Sequence, residues 1–257
     1  MAAESVFGER GFYQDHATRT PPARCSVIEG TTPVAAFGDV RRARVATLGI
    51  NPSRAEFLDS GRELLRGGRR RLATLESLGI HDLATAPAEA IDRMLDECLT
   101  YFQRNPYRRW FDQLDVLLRG IDVSYYDGTA CHLDLVPWAT DPTWGGLDVR
   151  TRRALLDDGV PMLRKLLATT EIQLIVVNGR SVLRELENAL SVQFDLHGRV
   201  EGPSTTSTDI VTGSIDGTAV VGWSVNLQSS FGVSREFRAR LRDVFKEACD
   251  APTELKD

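Results

Sequence analysis

Four short runs of apolar and β-branched residues punctuate the chain: Arg44–Ile50 (RVATLGI), Thr129–Val136 (TACHLDLV), Ile172–Val177 (IQLIVV) and Thr218–Val225 (TAVVGWSV). Each has the length of a buried strand. Between and after them the apolar positions recur at helical spacing, which predicts helices over Ala88–Gln103, Pro106–Leu118, Thr151–Ala168, Ser181–Leu190 and about Ser234–Ala248. Strands alternating with helices imply right-handed crossovers, hence an α/β fold with a mainly parallel sheet. Residues 194–217 break this rhythm. They alternate in short segments around the turn dipeptide Asp216-Gly217, which fits a hairpin or an added antiparallel strand near the sheet edge. Residues 1–40, with Pro21-Pro22 and a candidate short strand at Val34–Phe37, read as an arm packed on a single domain spanning residues 1–257.

Composition narrows the class. With 42% hydrophobic and 26% charged residues, the chain has enough apolar material for a full core. No Pro/Ser/Gly-rich linker, repeat or low-complexity tract separates two domains. The stretch MAAESVFGER carries charge where a signal peptide would be apolar, and no run reaches the length of a membrane span, so a cytoplasmic protein without a membrane partner is expected. Cys25, Cys98, Cys131 and Cys249 form no C-x-x-C pair; neither a zinc site nor a disulfide framework is indicated, and no cofactor is expected. A net charge of −5 means that the whole-molecule field does not draw nucleic acid. Any DNA contact must be local. Arg66, Arg69, Arg70 and Arg71 in LLRGGRRRL, with Arg108 and Arg109 in NPYRRW, are the candidates, although such runs are usually solvated faces.

In parallel α/β sheets, ligands bind beyond the carboxyl ends of the strands. The residues there are Asn51, Pro52 and Ser53 after the first run, His132 and Asp134 within the second, Asn178 and Gly179 after the third, and Asn226, Gln228, Ser229 and Ser230 after the fourth. Any one of these ends fits simple turn punctuation. The last, NLQSSFGVSREF, places small polar residues and Phe231 just before a helix start, a pattern suited to a phosphate with an apolar wedge beside it.

Gly49-Ile50-Asn51-Pro52-Ser53 resembles the Gly-x-Asn-Pro-Gly motif found in the mismatch-specific and single-strand-selective branches of the uracil-DNA glycosylase superfamily. Gln228-Ser229-Ser230-Phe231-Gly232-Val233-Ser234 is similar to a degenerate form of that superfamily's second motif, His-Pro-Ser-Pro-x-Ser, and HLDLVPW is similar to its base-reading strand. The resemblance spans roughly residues 40–248 and is closest at the first motif. It implies a three-layer sandwich around a four-stranded, mainly parallel sheet, and a monofunctional enzyme that flips a base from DNA and cuts its N-glycosidic bond to leave an abasic site. A monomer acting on DNA, without cofactor or metal, is the implied arrangement.

Carried over residue by residue, the resemblance implies that Asn51 positions the attacking water and that Gln228, standing where the superfamily often has histidine, donates to the departing base. Base recognition falls to Asp134, with His132, Phe57 and Asn178. Ser53, Ser229, Ser230 and Ser234, with Arg108 and Arg109, are the implied phosphate contacts, and Phe231 the wedge. Phe231 also suits a core aromatic, His132 a satisfied core histidine, and Asp134 a turn cap or a partner for an arginine such as Arg108. Where the superfamily commonly has asparagine, Asp134 can only accept once ionised, which favours the exocyclic amine of a cytosine over uracil. A modified cytosine, hydroxymethylated or glucosylated as in phage DNA, is the expected target, with antiviral defence as the role. The alternatives are a uracil or mismatch repair glycosylase, and a catalytically inactive DNA-binding protein on the same fold. A small-molecule hydrolase or nucleotide-binding enzyme on a doubly wound sheet is a third class that stays open because fold does not fix function, although the chain has neither a P-loop nor G-x-G-x-x-G.

Overall fold

The β-branched runs do form strands, and the sheet they build is larger and more mixed than expected. In the computed structural model, which describes residues 19–202, 206–228 and 233–250, six strands are hydrogen-bonded in the order β2-β1-β3-β6-β5-β4. They are β1 (Val45–Gly49), β2 (Ala130–Asp134), β3 (Leu174–Asn178), β4 (Asp195–Glu201), β5 (Ser207–Ile215) and β6 (Thr218–Trp223). Pairs β1·β3 and β3·β6 are parallel, whereas β5·β6 and β4·β5 are antiparallel. The expected four-stranded, mainly parallel sheet is therefore corrected to a mixed six-stranded one. The cause is the dipeptide at 216–217. Asp216 (φ 48°) and Gly217 (φ 89°) both adopt the left-handed backbone that a two-residue hairpin requires, so β6 is at once the fourth strand and one arm of a hairpin with β5.

The helices are α1 (Leu75–Leu78), α2 (Ala88–Leu99), α3 (Arg108–Leu118), α4 (Val149–Thr169), α5 (Arg180–Leu190) and α6 (Arg235–Asp250). The expected helix over 88–103 stops at Leu99 and gives way to a 3-10 turn at Tyr101–Gln103. No strand forms at Val34–Phe37. Among the described residues no helix is long and apolar enough to cross a membrane.

The chain folds as two compact units, each discontinuous in sequence. The first comprises residues 19–39, Ile50–Tyr107 and Leu133–Lys165. Its α2 buries Ala90, Ile91, Met94, Glu97 and Cys98 along one stripe, and the buried Glu97 is neutralised by Arg70 and by Arg104 at 3.3 Å. Thr74 and Ser77 close a reciprocal capping box on the short α1. Gly159 of α4 lies so close to the strand exit that a Cβ there would sit 2.3 Å from the Leu135 carbonyl oxygen.

The second unit comprises Val40–Gly49, Arg108–His132 and the described residues from 166 to 250, and holds most of the sheet. Consecutive residues of β6 show how its faces are covered. Gly222 meets Leu183 of α5, while Trp223 packs its ring edge-on to Phe245 of α6, with centroids 5.6 Å apart. Neighbouring strand residues point to opposite faces, so helices cover both sides of the sheet here, in the manner of a three-layer α/β arrangement. At the free edge, β4 carries a register shift between Leu196 and Gly198, a bulge of the kind that blunts exposed edges.

Candidate functional site

The first unit contains the turn that follows β1. Two residues beyond the strand, the Asn51 amide nitrogen donates to the Trp138 carbonyl oxygen and to Thr140 Oγ1, both at 3.1 Å. A backbone carbonyl can only accept, so the amide cannot be turned round; its nitrogen faces Trp138 and its oxygen faces away. Trp138 and Thr140 are each 1% exposed, and Trp138 is itself anchored by donating from Nε1 to Asp158 at 3.1 Å. The Asn51 oxygen is thus left as an acceptor with a fixed direction. Ser53 caps the 3-10 turn Arg54–Glu56 by accepting from the Ala55 amide at 3.2 Å. Phe57 lies in the core at 1% exposure, so the face of its ring serves packing. Asp134, half-buried, is the last residue of β2.

Beside these lies a carboxyl that sequence reasoning missed. Glu56 is 2% exposed and accepts from the Tyr101 hydroxyl at 2.6 Å, while that hydroxyl accepts from the Tyr107 amide at 2.8 Å. Burial pushes the Glu56 carboxyl up to about 7; the Tyr101 hydrogen bond and the Arg71 charge pull it down, and the neighbouring Asp134 charge pushes it up again. Arg71 donates to the carbonyl oxygens of Ala55 and Asn105, both at 3.2 Å, and stacks over the Tyr107 ring at 5.1 Å. Of the LLRGGRRRL arginines, Arg70 and Arg71 therefore turn inward, whereas Arg66 and Arg69 stay exposed against Glu76 and Asp59. The only local signal for Glu56 was a single acidic residue between Ala55 and Phe57, directly after the Asn-Pro turn.

No family model matches this chain, and neither does any curated protein.

The second unit holds the remaining candidates. The buried Asn178 accepts from Trp223 Nε1 at 2.8 Å and from the Leu227 amide at 3.1 Å, and its nitrogen donates to Gln228 Oε1. Gln228 in turn donates to the Trp110 carbonyl oxygen at 3.2 Å, which leaves its second N–H as the available donor. Asn178 and Gln228 are thus brought together and braced. His132 lies in the core at 5% exposure, with Nδ1 2.8 Å from Thr47 Oγ1 and its ring edge-on to Phe111. Arg108 stacks over Tyr126 at 4.8 Å and faces Asp112 at 3.9 Å; Arg109 is exposed on α3. Ser234 caps α6, accepting from the Phe237 amide at 3.0 Å. Ser229, Ser230 and Phe231 lie outside the described residues. Among the described residues, no group of three or more His, Cys, Asp or Glu side chains could hold a metal ion.

Proposed function

We propose that this chain is a DNA glycosylase that hydrolyses the N-glycosidic bond of a flipped pyrimidine, and that the pyrimidine carries a 4-amino group, as a modified cytosine does. The observation that carries the reading is the Asn51 amide, held by two donated hydrogen bonds with its oxygen directed away from them. Glycosidic cleavage builds positive charge on the sugar, and water must approach that carbon along one line. An immobilised carbonyl oxygen accepts from such a water and fixes its approach. The amide is not basic at neutral pH, so it orients the water without deprotonating it. Asp134 supplies an acceptor for the exocyclic amine, which uracil lacks.

Free excision of ordinary cytosine would ruin any genome, so a hydroxymethylated or glucosylated cytosine of the kind found in phage DNA is the target. Antiviral defence by a cytoplasmic monomer is the corresponding role. The test is an abasic-site assay on DNA containing uracil, cytosine, hydroxymethylcytosine or glucosylated hydroxymethylcytosine, followed by alkaline cleavage. Strand breaks should appear with a modified cytosine. Asn51→Ala should lower the rate about a hundredfold or more while leaving DNA binding intact, and Asp134→Asn should move the preference toward uracil. Breaks with uracil alone would make the protein a repair enzyme, and binding without breaks would make it an inactive DNA-binding protein.

A further inference from the structure

The Asn51 amide is held by the segment Pro137–Asp141, and the N-terminal arm grips that segment along its other edge. The Ile28 amide donates to the Ala139 carbonyl oxygen at 3.0 Å, the Asp141 amide donates to the Ser26 carbonyl oxygen at 3.0 Å, and the Val34 amide donates to the Pro137 carbonyl oxygen at 2.8 Å. Between the first two bonds, Val27 and Thr140 face each other as an antiparallel bridge. In such a pair the backbone groups of successive residues point to opposite edges. The carbonyls of Pro137 and Ala139 therefore meet the arm, and the carbonyl between them, that of Trp138, faces Asn51 at 3.1 Å.

Helix α4 secures the same residue through its side chain. Gly159 lets the helix approach the exit of β2, where a Cβ would lie 2.3 Å from the Leu135 carbonyl oxygen, and Asp158, one residue earlier, reaches the Trp138 ring. One Asp158 carboxylate oxygen accepts from Trp138 Nε1 at 3.1 Å. The other pairs with Arg19 of the arm at 3.1 Å, and Arg19 also donates to the Asp158 carbonyl oxygen at 3.2 Å. The indole is buried, so packing and its N–H together fix the ring, and the Trp138 backbone is held from the side-chain direction as well as from the arm.

We propose that Asp158 is a positioning residue for Asn51: through the Trp138 indole, and with the arm bonded along the opposite edge of Pro137–Asp141, it keeps the Trp138 carbonyl oxygen aimed at the Asn51 amide. The proposal rests on the reading that Asn51 orients the attacking water, and it makes the arm a working part of that site. Loss of the anchor lets the amide turn. The Asn51 oxygen then no longer points along one line, and fewer bound substrates stand in the reactive geometry. DNA affinity does not draw on this carbonyl and stays the same.

The first measurement is single-turnover base release by the full chain on the modified-cytosine DNA that the abasic-site assay selects. Asp158→Leu removes both oxygens at similar size and should slow release about tenfold, while the dissociation constant for the same DNA changes less than about twofold. Asp158→Asn, whose amide oxygen still accepts from Trp138 Nε1, should recover most of the rate. Added to Asn51→Ala, Asp158→Leu should slow release by less than about a further twofold, because nothing is left for it to position. Losses that multiply in the double variant, or equal losses in Asp158→Leu and Asp158→Asn, would overturn the proposal. The second measurement needs no cleavage. In nitrogen-15 NMR of the side-chain amides, the Asn51 pair, identified by its loss in Asn51→Ala, should shift in Asp158→Leu and return in Asp158→Asn. Trp138→Phe, which removes the indole N–H, is a second route to the same loss and should shift the same pair. An Asn51 pair unmoved in both Asp158→Leu and Trp138→Phe would overturn the proposal. If the pair moves as expected but no DNA is cleaved, the positioning of Asn51 stands and the glycosylase reading falls.

Discussion

Replacing Glu56 by glutamine separates charge from shape at a site 2% exposed to solvent. The carboxyl stands at about 7 in the folded protein against an ordinary value of 4.5. Between those two values the folded chain keeps a proton that the unfolded chain has released. The stability associated with the neutral carboxyl is therefore fully present below about pH 4.5, is lost as pH rises toward 7, and changes little above that. At about 1.4 kcal/mol per pH unit, the loss between pH 5 and pH 8 is about 2–3 kcal/mol. Glutamine still accepts from the Tyr101 hydroxyl and has no proton to lose. Urea unfolding of both proteins at pH 5 and pH 8 should thus show the stability difference moving in favour of Glu56→Gln by about 2–3 kcal/mol on going to the higher pH. An unchanged difference at the two pH values would refute the argument, because it would mean that Glu56 titrates alike in the folded and unfolded chains.

Two further substitutions probe the packing that supports the candidate residues. Gly159→Ala places a methyl group 2.3 Å from the Leu135 oxygen and 2.9 Å from the Val136 Cα, both backbone atoms, so it should cost about 3 kcal/mol and lower the melting temperature by several degrees. An unchanged melting temperature would mean that α4 can withdraw from the strand exit. Asn178→Ala strips the acceptor from Trp223 Nε1 and the Leu227 amide, and should cost about 2–4 kcal/mol by calorimetry, whereas Asn178→Asp, which keeps both acceptors, should recover part of that loss.

Much of the fold was legible in local sequence. The runs at 44–50, 129–136, 172–177 and 218–225 became β1, β2, β3 and β6 because β-branched residues buried on both faces leave few alternatives. Helix positions followed from apolar spacing, and even Pro161 inside α4 did not break the predicted span. The sheet was misjudged in size and direction for a different reason. The alternation around Asp216-Gly217 did mark an antiparallel hairpin near the sheet edge, but β4 exposes most of its side chains, and a solvent-facing edge strand leaves little apolar pattern from which to count six strands. The helix over 88–103 was overextended because Tyr101 and Phe102 keep a helical apolar spacing while the backbone has already tightened into a 3-10 turn.

At the candidate site, the sequence by itself determined which chemistry was on offer: an amide in an Asn-Pro turn, a carboxylate at the end of a strand, and amides beyond two others. Those features are local, since turn formers and strand ends are specified by neighbours along the chain. Only the tertiary structure decided how each group is held. The partners of Asn51 lie at Trp138 and Thr140, those of Glu56 at Tyr101 and Arg71, and those of Asn178 at Trp223, Leu227 and Gln228. Burial and hydrogen bonding between residues distant in sequence, which carry no local signature, direct the Asn51 oxygen and raise the Glu56 carboxyl.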